Sequence, residues 1–202
     1  MTEFFYHLKR EGVGLGTRMG PPAILIHVIL IAAFGILLPW WKGVDFLDPV
    51  MLSAYASLGI LFAAPVSVAA FAQGRPGSFA EALARIAIAV IYAELMTVAM
   101  LAAGLITVYS KTHFPLPPDL ETLGMAAVFG IALSGALAAI AGWITLRFSA
   151  ASARGALRII FLGLLALFFF RSRWLPDVAG TGALLSLIVA AGALAAIRRT
   201  LA

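Results

Sequence analysis

Residues 86–109, IAIAVIYAELMTVAMLAAGLITVY, form an apolar run that contains a single charged residue, Glu94. A helix needs about 20 residues to cross the hydrocarbon core of a bilayer. The run lacks the alternation of a barrel strand, and an open strand cannot satisfy its backbone in lipid. The stretch therefore predicts a membrane-spanning helix.

Comparable runs recur along the chain, whose 202 residues are 63% hydrophobic and 11% charged. Soluble domains carry about 25% charged residues. We therefore expect an all-α, polytopic membrane helix bundle. Its six transmembrane helices are predicted at residues 22–41, 51–72, 86–109, 125–146, 156–176 and 178–197. The fifth has the shortest uninterrupted apolar part, and a re-entrant or interfacial segment is the alternative there.

The first 20 residues mix acids and bases with Phe4, Phe5 and Leu8 at helical spacing. This pattern predicts a short amphipathic helix that lies in the cytoplasmic interface. Four glycines between residues 12 and 20 then predict a flexible bend, and two prolines begin the first span. We accordingly expect an entry segment at residues 1–20 and a six-helix transmembrane domain at residues 21–202.

The basic residues predict the orientation, because basic loops are retained in the cytoplasm. Ten fall on one side of the predicted topology: Lys9, Arg10, Arg18, Arg75, Arg85, Arg147, Arg154, Arg158, Arg198 and Arg199. Four fall on the other: Lys42, Lys111, Arg171 and Arg173. We expect both termini to be cytoplasmic and the membrane to be a prokaryotic inner membrane. Arg147, Arg154 and Arg158 either anchor the loop to lipid headgroups or dock a cytoplasmic partner.

Several chemistries are disfavoured by the residues present. The chain has no cysteine, hence no disulfide, thiolate nucleophile or Cys-ligated metal. Its histidines are widely separated, so no metal site is predicted. The glycine-rich GVGLGTRMG lacks the Gly-Lys-Ser/Thr of a phosphate-binding loop. We expect no enzyme activity and no cofactor in this chain, and no nucleic-acid partner.

Two polar residues inside predicted spans are candidate functional groups. An acid such as Glu94 is costly in a bilayer and should face the protein interior or a water-filled cavity. It could serve structural hydrogen bonding, line a transport path or couple transport to protons. His27 is interpreted as a hydrogen-bonded packing residue, with a ligand or proton carrier as the alternative. A membrane enzyme would need Glu94, His27 and Tyr92 to converge.

Small residues recur every four positions in the fourth span and predict close helix packing. This small-residue ridge consists of Gly130, Ser134, Ala138 and Gly142.

The loop AQGRPGSFAEALARIA, residues 72–87, predicts a short helix of its own. Ser78 is a candidate N-cap, and Glu81 completes a capping box. Leu83 contributes to an apolar side, whereas Arg75, Glu81 and Arg85 are expected to be exposed. Such a helix suits the docking of a soluble partner, and a plain interfacial connector is the alternative.

This arrangement resembles the membrane subunit of a type-2 ABC exporter. In that family the loop between spans two and three forms a coupling helix that contacts the ATPase subunit. The segment RPGSFAEAL is similar, with Arg75, Gly77, Ser78, Glu81 and Leu83 in those roles. The segment LRFSAASARGAL, between spans four and five, is also similar to the family pattern.

The resemblance implies a permease that pairs with itself or with a related permease, with ATP bound by a separate ATPase subunit. The substrate is not predicted. The alternatives are a structural or assembly subunit of a larger membrane complex and a proton-coupled carrier that uses Glu94.

Overall fold

A computed structural model describes residues 2–18, 20–48, 51, 55, 57–113, 120–171 and 175–202. Its α-helices are α1 (Thr2–Arg18), α2 (Gly20–Ala32), α3 (Leu38–Lys42), α4 (Ile60–Ala72), α5 (Phe79–Thr112), α6 (Leu120–Arg147), α7 (Ala150–Arg171) and α8 (Leu175–Leu201). A π-helical turn, Ala33–Leu37, joins α2 to α3. Short 3-10 turns lie at Gly43–Leu47 and Ser57–Gly59. No strand occurs among the described residues, which confirms the all-α prediction for them.

Four helices of the described chain are long and apolar enough to cross a membrane: Ile24–Leu47, Phe79–Thr112, Ala127–Arg147 and Gly180–Leu201. They correspond to the first, third, fourth and sixth predicted spans. The second predicted span contains a shorter apolar helix, Leu61–Ala72, and residues 52–54 and 56 lie outside the described ones. The fifth falls on α7, although residues 172–174 are also outside. The helices are consistent with a membrane protein, and the number of six spans stays a prediction.

Pro39 explains the π-helical turn in the first span. Proline has no N–H to donate, and its ring clashes with the carbonyl four residues earlier. The helix widens before it, so that the N–H of Leu38 bonds to the carbonyl oxygen of Ala33. The hydroxyl of Tyr55 donates to the carbonyl oxygen of Phe34 inside the turn. The irregular backbone is therefore supported by a neighbouring side chain.

The main core lies where α4, α5, α6 and α8 meet. Its largest buried members come from three of these helices and include Phe62, Met100 and Ile197. A second cluster joins α4 and α6 to the first turns of α7, through Val68, Leu137 and Ala153. A third surrounds Phe46 near the other end of α5.

The amino-terminal helix is longer than expected and is packed against the bundle. Helix α1 continues through three glycines to Arg18, so the predicted flexible bend between residues 12 and 20 is wrong apart from Met19, which is outside the described residues. A methyl group on Gly12 would lie 3.4 Å from Cδ1 of Ile88, so α1 is in van der Waals contact with α5 at this position. Phe5 and Val13 lie on its exposed side.

Both ends of the described chain lie at one end of the bundle. Arg10 of α1 contacts Glu81 in the first turn of α5, and Arg75 donates to the carbonyl oxygen of Thr200 in α8. We call this the basic end. It also holds residues 147–154, because Gly142 near the end of α6 packs against Phe71 near the end of α4.

Candidate functional site

The turn between α4 and α5 starts the new helix with a side-chain cap. Ser78 is the N-cap residue, and its hydroxyl oxygen accepts from the backbone N–H of Glu81 at 3.2 Å. In return, Oε2 of Glu81 accepts from the backbone N–H of Gly77 at 2.9 Å. A standard capping box uses the N–H of the N-cap residue itself. The predicted cap is therefore present, with the second bond displaced by one residue.

The helix that begins at this cap is the long α5. It runs from Phe79 to Thr112 without interruption, so the expectation of a separate short connector helix is wrong. The predicted third span started only at residue 86, directly after Arg85. The structure buries this guanidinium against other parts of the chain, and the helix continues through it.

Arg85 holds the end of α4 against the start of α5. Its Nη1 donates to the carbonyl oxygens of Ala70 at 2.9 Å and Gly74 at 2.7 Å, while Nη2 donates to Oε1 of Glu81 at 2.8 Å. The last carbonyl groups of a helix lack intrahelical donors and carry partial negative charge. Arg85 therefore donates hydrogen bonds to carbonyl oxygens at the end of α4 and at the same time forms an ion pair with a carboxylate of α5.

Helix α1 contributes the remaining two charges. Nη2 of Arg10 lies 2.6 Å from Oε1 of Glu81 and 3.2 Å from Oε1 of Glu11. The same oxygen of Glu11 lies 3.8 Å from Nε of Arg85. We call Arg10, Glu11, Glu81 and Arg85 the ion network. The hydrogen bond from Arg10 to Glu11 and the charges of the nearby carboxylates raise the pKa of Arg10 above its ordinary value, so this guanidinium stays charged.

Three of the four members of the ion network are buried, whereas the side chain of Arg10 is 46% exposed. Glu11 is 1% exposed, and Glu81 and Arg85 are 8% exposed each, so the expectation that Glu81 and Arg85 are exposed is wrong. Buried charges are tolerated where they are paired and hydrogen-bonded. Two carboxylates here face two guanidinium groups, which balances the charge.

Sequence reasoning missed Arg10 and Glu11 as members. A signal was present, because Glu11 shares a helical face with Phe4 and Leu8. An acid on the apolar face of an amphipathic helix needs a cation on the helix that covers it.

The other predicted docking residues of this turn differ in exposure. Arg75 and Gly77 are exposed, whereas Leu83 is half-buried. Arg75 donates to the carbonyl oxygen of Thr200 and so joins the turn to the last turn of α8. The turn therefore lies at the surface, and this hydrogen bond holds it against α8.

A second basic turn lies at the same end of the bundle. Arg147 ends α6 and is exposed, as are Phe148 and Arg154. The hydroxyl oxygen of Ser149 accepts from the backbone N–H of Ser152 at 3.1 Å and so caps α7. Arg158 lies two turns into α7, and its side chain is outside the described ones.

The small-residue ridge of α6 faces α4 within the same chain. The hydroxyl of Ser67 donates to the carbonyl oxygen of Ala138 at 2.6 Å. A methyl group on Gly142 would lie 2.7 Å from Cε2 of Phe71. Gly130 and Ser134 are buried as well. The ridge thus allows α4 to pack closely on α6.

The polar residues inside the bundle do not form a single site. Nδ1 of His27 lies 2.7 Å from the hydroxyl oxygen of Tyr92, which joins α2 to α5 by a hydrogen bond. The ring of Phe62 packs edge-on against His27. Glu94 is two residues after Tyr92 and lies near Ser134 of α6 instead. The trio that a membrane enzyme would require is therefore divided between two helix contacts.

Within the described residues no group of three or more His, Asp or Glu side chains is placed to hold a metal ion. No protein-family model, curated protein or solved structure matches the chain.

Proposed function

We propose that this chain is the transmembrane permease subunit of an ABC-type exporter and that a separate ATPase subunit binds and hydrolyses the ATP. The observation that carries the proposal is the position of its two basic turns. Residues 73–78 and 147–154 lie together at the basic end, where a soluble partner can reach both. The sequence resemblance of both turns to the exporter family agrees with this placement.

The exposed residues of these turns are the proposed contacts of the ATPase subunit. Arg75, Arg147 and Arg154 present cations to solvent, and Phe148 is 66% exposed beside them. Exposed aromatic and arginine side chains are typical anchors of protein interfaces. We expect an acidic surface on the partner, since charge complementarity orients such encounters.

The ion network has a different role in this proposal. Glu81 and Arg85 point into the chain, where they join α4 to α5, and Arg10 joins both to α1. A displacement of the turn by the partner would therefore move these helices together. The network transmits the movement, and the exposed arginines receive it.

The distribution of charge supports a cytoplasmic basic end. Exposed bases at this end include Lys9, Arg154 and Arg198, while Asp45 and Asp48 lie at the opposite end of the first span. Bases near spans are retained in the cytoplasm. We propose a prokaryotic inner-membrane location, with a second copy or a related permease completing the substrate path.

Co-purification tests the proposal. The tagged chain is extracted in mild detergent, its partners are identified by mass spectrometry, and ATP hydrolysis is measured. We expect a soluble ATPase subunit that is lost in the variants Arg147→Glu and Arg154→Glu. The matched control is Lys42→Glu, a charge reversal at the opposite end of the first span, which should retain the partner. Recovery with other membrane proteins but without ATPase activity contradicts the exporter and favours a structural subunit.

A further inference from the structure

Glu94 lies in the interior of the longest helix, far from the ion network. It is 15 residues after Phe79, which places it about 22 Å along α5. A carboxylate at such a depth is costly unless a partner neutralises it. The permease function proposed above uses neither this carboxylate nor the groups around it.

Three side-chain oxygens converge beside Gly59, at the 3-10 turn that precedes α4. A Cβ atom on Gly59 would lie 2.7 Å from Oγ of Ser134, 3.0 Å from Oε1 of Glu94 and 3.1 Å from Oγ1 of Thr97. The oxygens come from α5 and α6, and the glycine supplies a third side. All three oxygens therefore lie next to the Cα atom of Gly59, in the space that the side chain of any larger residue at position 59 would occupy.

The hydrogen bonds of these oxygens leave their lone pairs available. Oε1 of Glu94 and Oγ of Ser134 are both buried and lie close to each other, and neither makes a hydrogen bond of ordinary geometry to any described residue. Ser134 is 0% exposed. The hydroxyl of Thr97 donates to the carbonyl oxygen of Ala93 at 3.0 Å, so its oxygen can still accept. Buried polar atoms without partners indicate a ligand that satisfies them.

We propose that Glu94, Thr97 and Ser134 bind a sodium ion beside Gly59. Carboxylate and hydroxyl oxygens are ligands that hard cations prefer. A single carboxylate balances one positive charge, which favours a monovalent ion over calcium or magnesium. The bound ion would remove the cost of a buried carboxylate and would link α4, α5 and α6.

The site resembles a general device of membrane proteins, in which an irregular helix segment contributes to an ion site. Here the irregular segment is the 3-10 turn Ser57–Gly59, which packs against both α5 and α6. Binding at this position would favour one arrangement of the three helices. The inference rests on these contacts alone and is independent of the exporter function.

Thermal unfolding of the purified full-length chain in detergent tests the site. The apparent melting temperature is measured as sodium chloride replaces choline chloride at constant ionic strength. We expect a saturable rise with sodium, as ligand linkage requires. Glu94→Gln should abolish the rise, and Thr97→Val or Ser134→Ala should weaken apparent sodium binding by roughly tenfold. Binding of radioactive sodium to the purified protein should be lost in Glu94→Gln and weakened in Thr97→Val and Ser134→Ala.

Glycine substitutions provide a second test with a matched control. Gly59→Ala should abolish the sodium effect because the methyl group takes the position on which the oxygens converge. Gly192→Ala should retain it, because nothing lies within 4 Å of a methyl group there. If Gly59→Ala fails to fold, the Thr97 and Ser134 variants decide.

Two outcomes would overturn the proposal. The first is a melting temperature that is the same in sodium and in choline. The second is stabilisation that follows acidity instead of sodium and is lost in Glu94→Gln, which would assign a bound proton to Glu94. Both outcomes are independent of the exporter proposal, because neither depends on whether the Arg147→Glu and Arg154→Glu variants lose the ATPase subunit.

Discussion

At the scale of single residues, Gly142 shows how a missing side chain sets the packing of two helices. A methyl group there would lie 2.7 Å from Cε2 of Phe71, whose ring is buried. We therefore expect Gly142→Ala to destabilise the protein by about 1 to 3 kcal/mol, the usual cost of overpacking. The measurement is thermal or denaturant unfolding in detergent.

Gly135 provides the control for this substitution. It lies on the same helix, and nothing lies within 4 Å of a methyl group on it. Gly135→Ala should be neutral or slightly stabilising, because alanine has the higher helix propensity. Adding Phe71→Leu to Gly142→Ala should recover part of the stability. Equal effects of the two glycine substitutions would contradict the proposed contact.

Local sequence signals predicted some residues correctly and misplaced others. The cap at Ser78 follows from a short-range pattern, so the bond from the N–H of Glu81 could be expected. The burial of Arg85 depends on carbonyl groups 11 and 15 residues earlier in the chain and on a carboxylate of α1. No local pattern shows which helix will cover an arginine, and for this reason its exposure was predicted wrongly.

At the scale of elements, α1 depends on the ion network for its position. Glu11 is 1% exposed and faces Arg85 across the contact between α1 and α5. Glu11→Gln keeps the shape and removes the charge, and charged hydrogen bonds contribute roughly 1.5 to 3 kcal/mol. We expect faster amide hydrogen exchange across Thr2–Arg18, by about tenfold or more, as measured by mass spectrometry.

The control for this experiment is Glu3→Gln. Oε1 of Glu3 lies 3.6 Å from Nε2 of His7, and the carboxylate is exposed, so its loss should change exchange little. If both variants, or neither, accelerate exchange in α1, the ion network does not hold the helix.

The glycines between residues 12 and 20 were interpreted from their intrinsic flexibility alone. Four glycines in a short segment predict flexibility from propensity alone. In α1, however, Gly12 lies against Ile88, and the packing gained there opposes the low propensity. Tertiary contact therefore favours the continuation of α1 through Gly12, whereas the prolines at residues 21 and 22 correctly indicated the first turn of α2.

At the scale of the whole molecule, hydrophobic periodicity and charge predicted the positions of spanning helices better than they predicted individual side-chain contacts. Four of the predicted spans correspond to helices of sufficient length, because length and apolarity are visible in the sequence. Helix α4 has only 13 residues, and its buried face includes Phe62 and Val66. An apolar segment buried by protein has the same composition as one that faces lipid, so composition alone does not give the number of crossings.

Cysteine labelling measures the topology directly, and the chain contains no native cysteine to interfere. Single cysteines at Asp45, Gln73, His113, Ser152 and Ala202 sample exposed positions after successive helices. We expect an impermeant maleimide to label Asp45→Cys and His113→Cys in intact cells. The other three should react only after permeabilisation, because the basic end lies in the cytoplasm.

Each pair of neighbouring sites reports the crossings made by the helices between them, which is one helix for every pair except Ser152 and Ala202. Asp45 and Gln73 flank α4, so equal accessibility at these two positions would show that α4 does not cross the membrane. His113 and Ser152 flank α6 and report its crossing. Positions Ser152 and Ala202 should have the same accessibility only if α7 and α8 cross in opposite directions or if neither crosses. A cysteine in place of Leu175, at the start of α8, distinguishes those two cases: labelling in intact cells supports six spans, and protection there supports four.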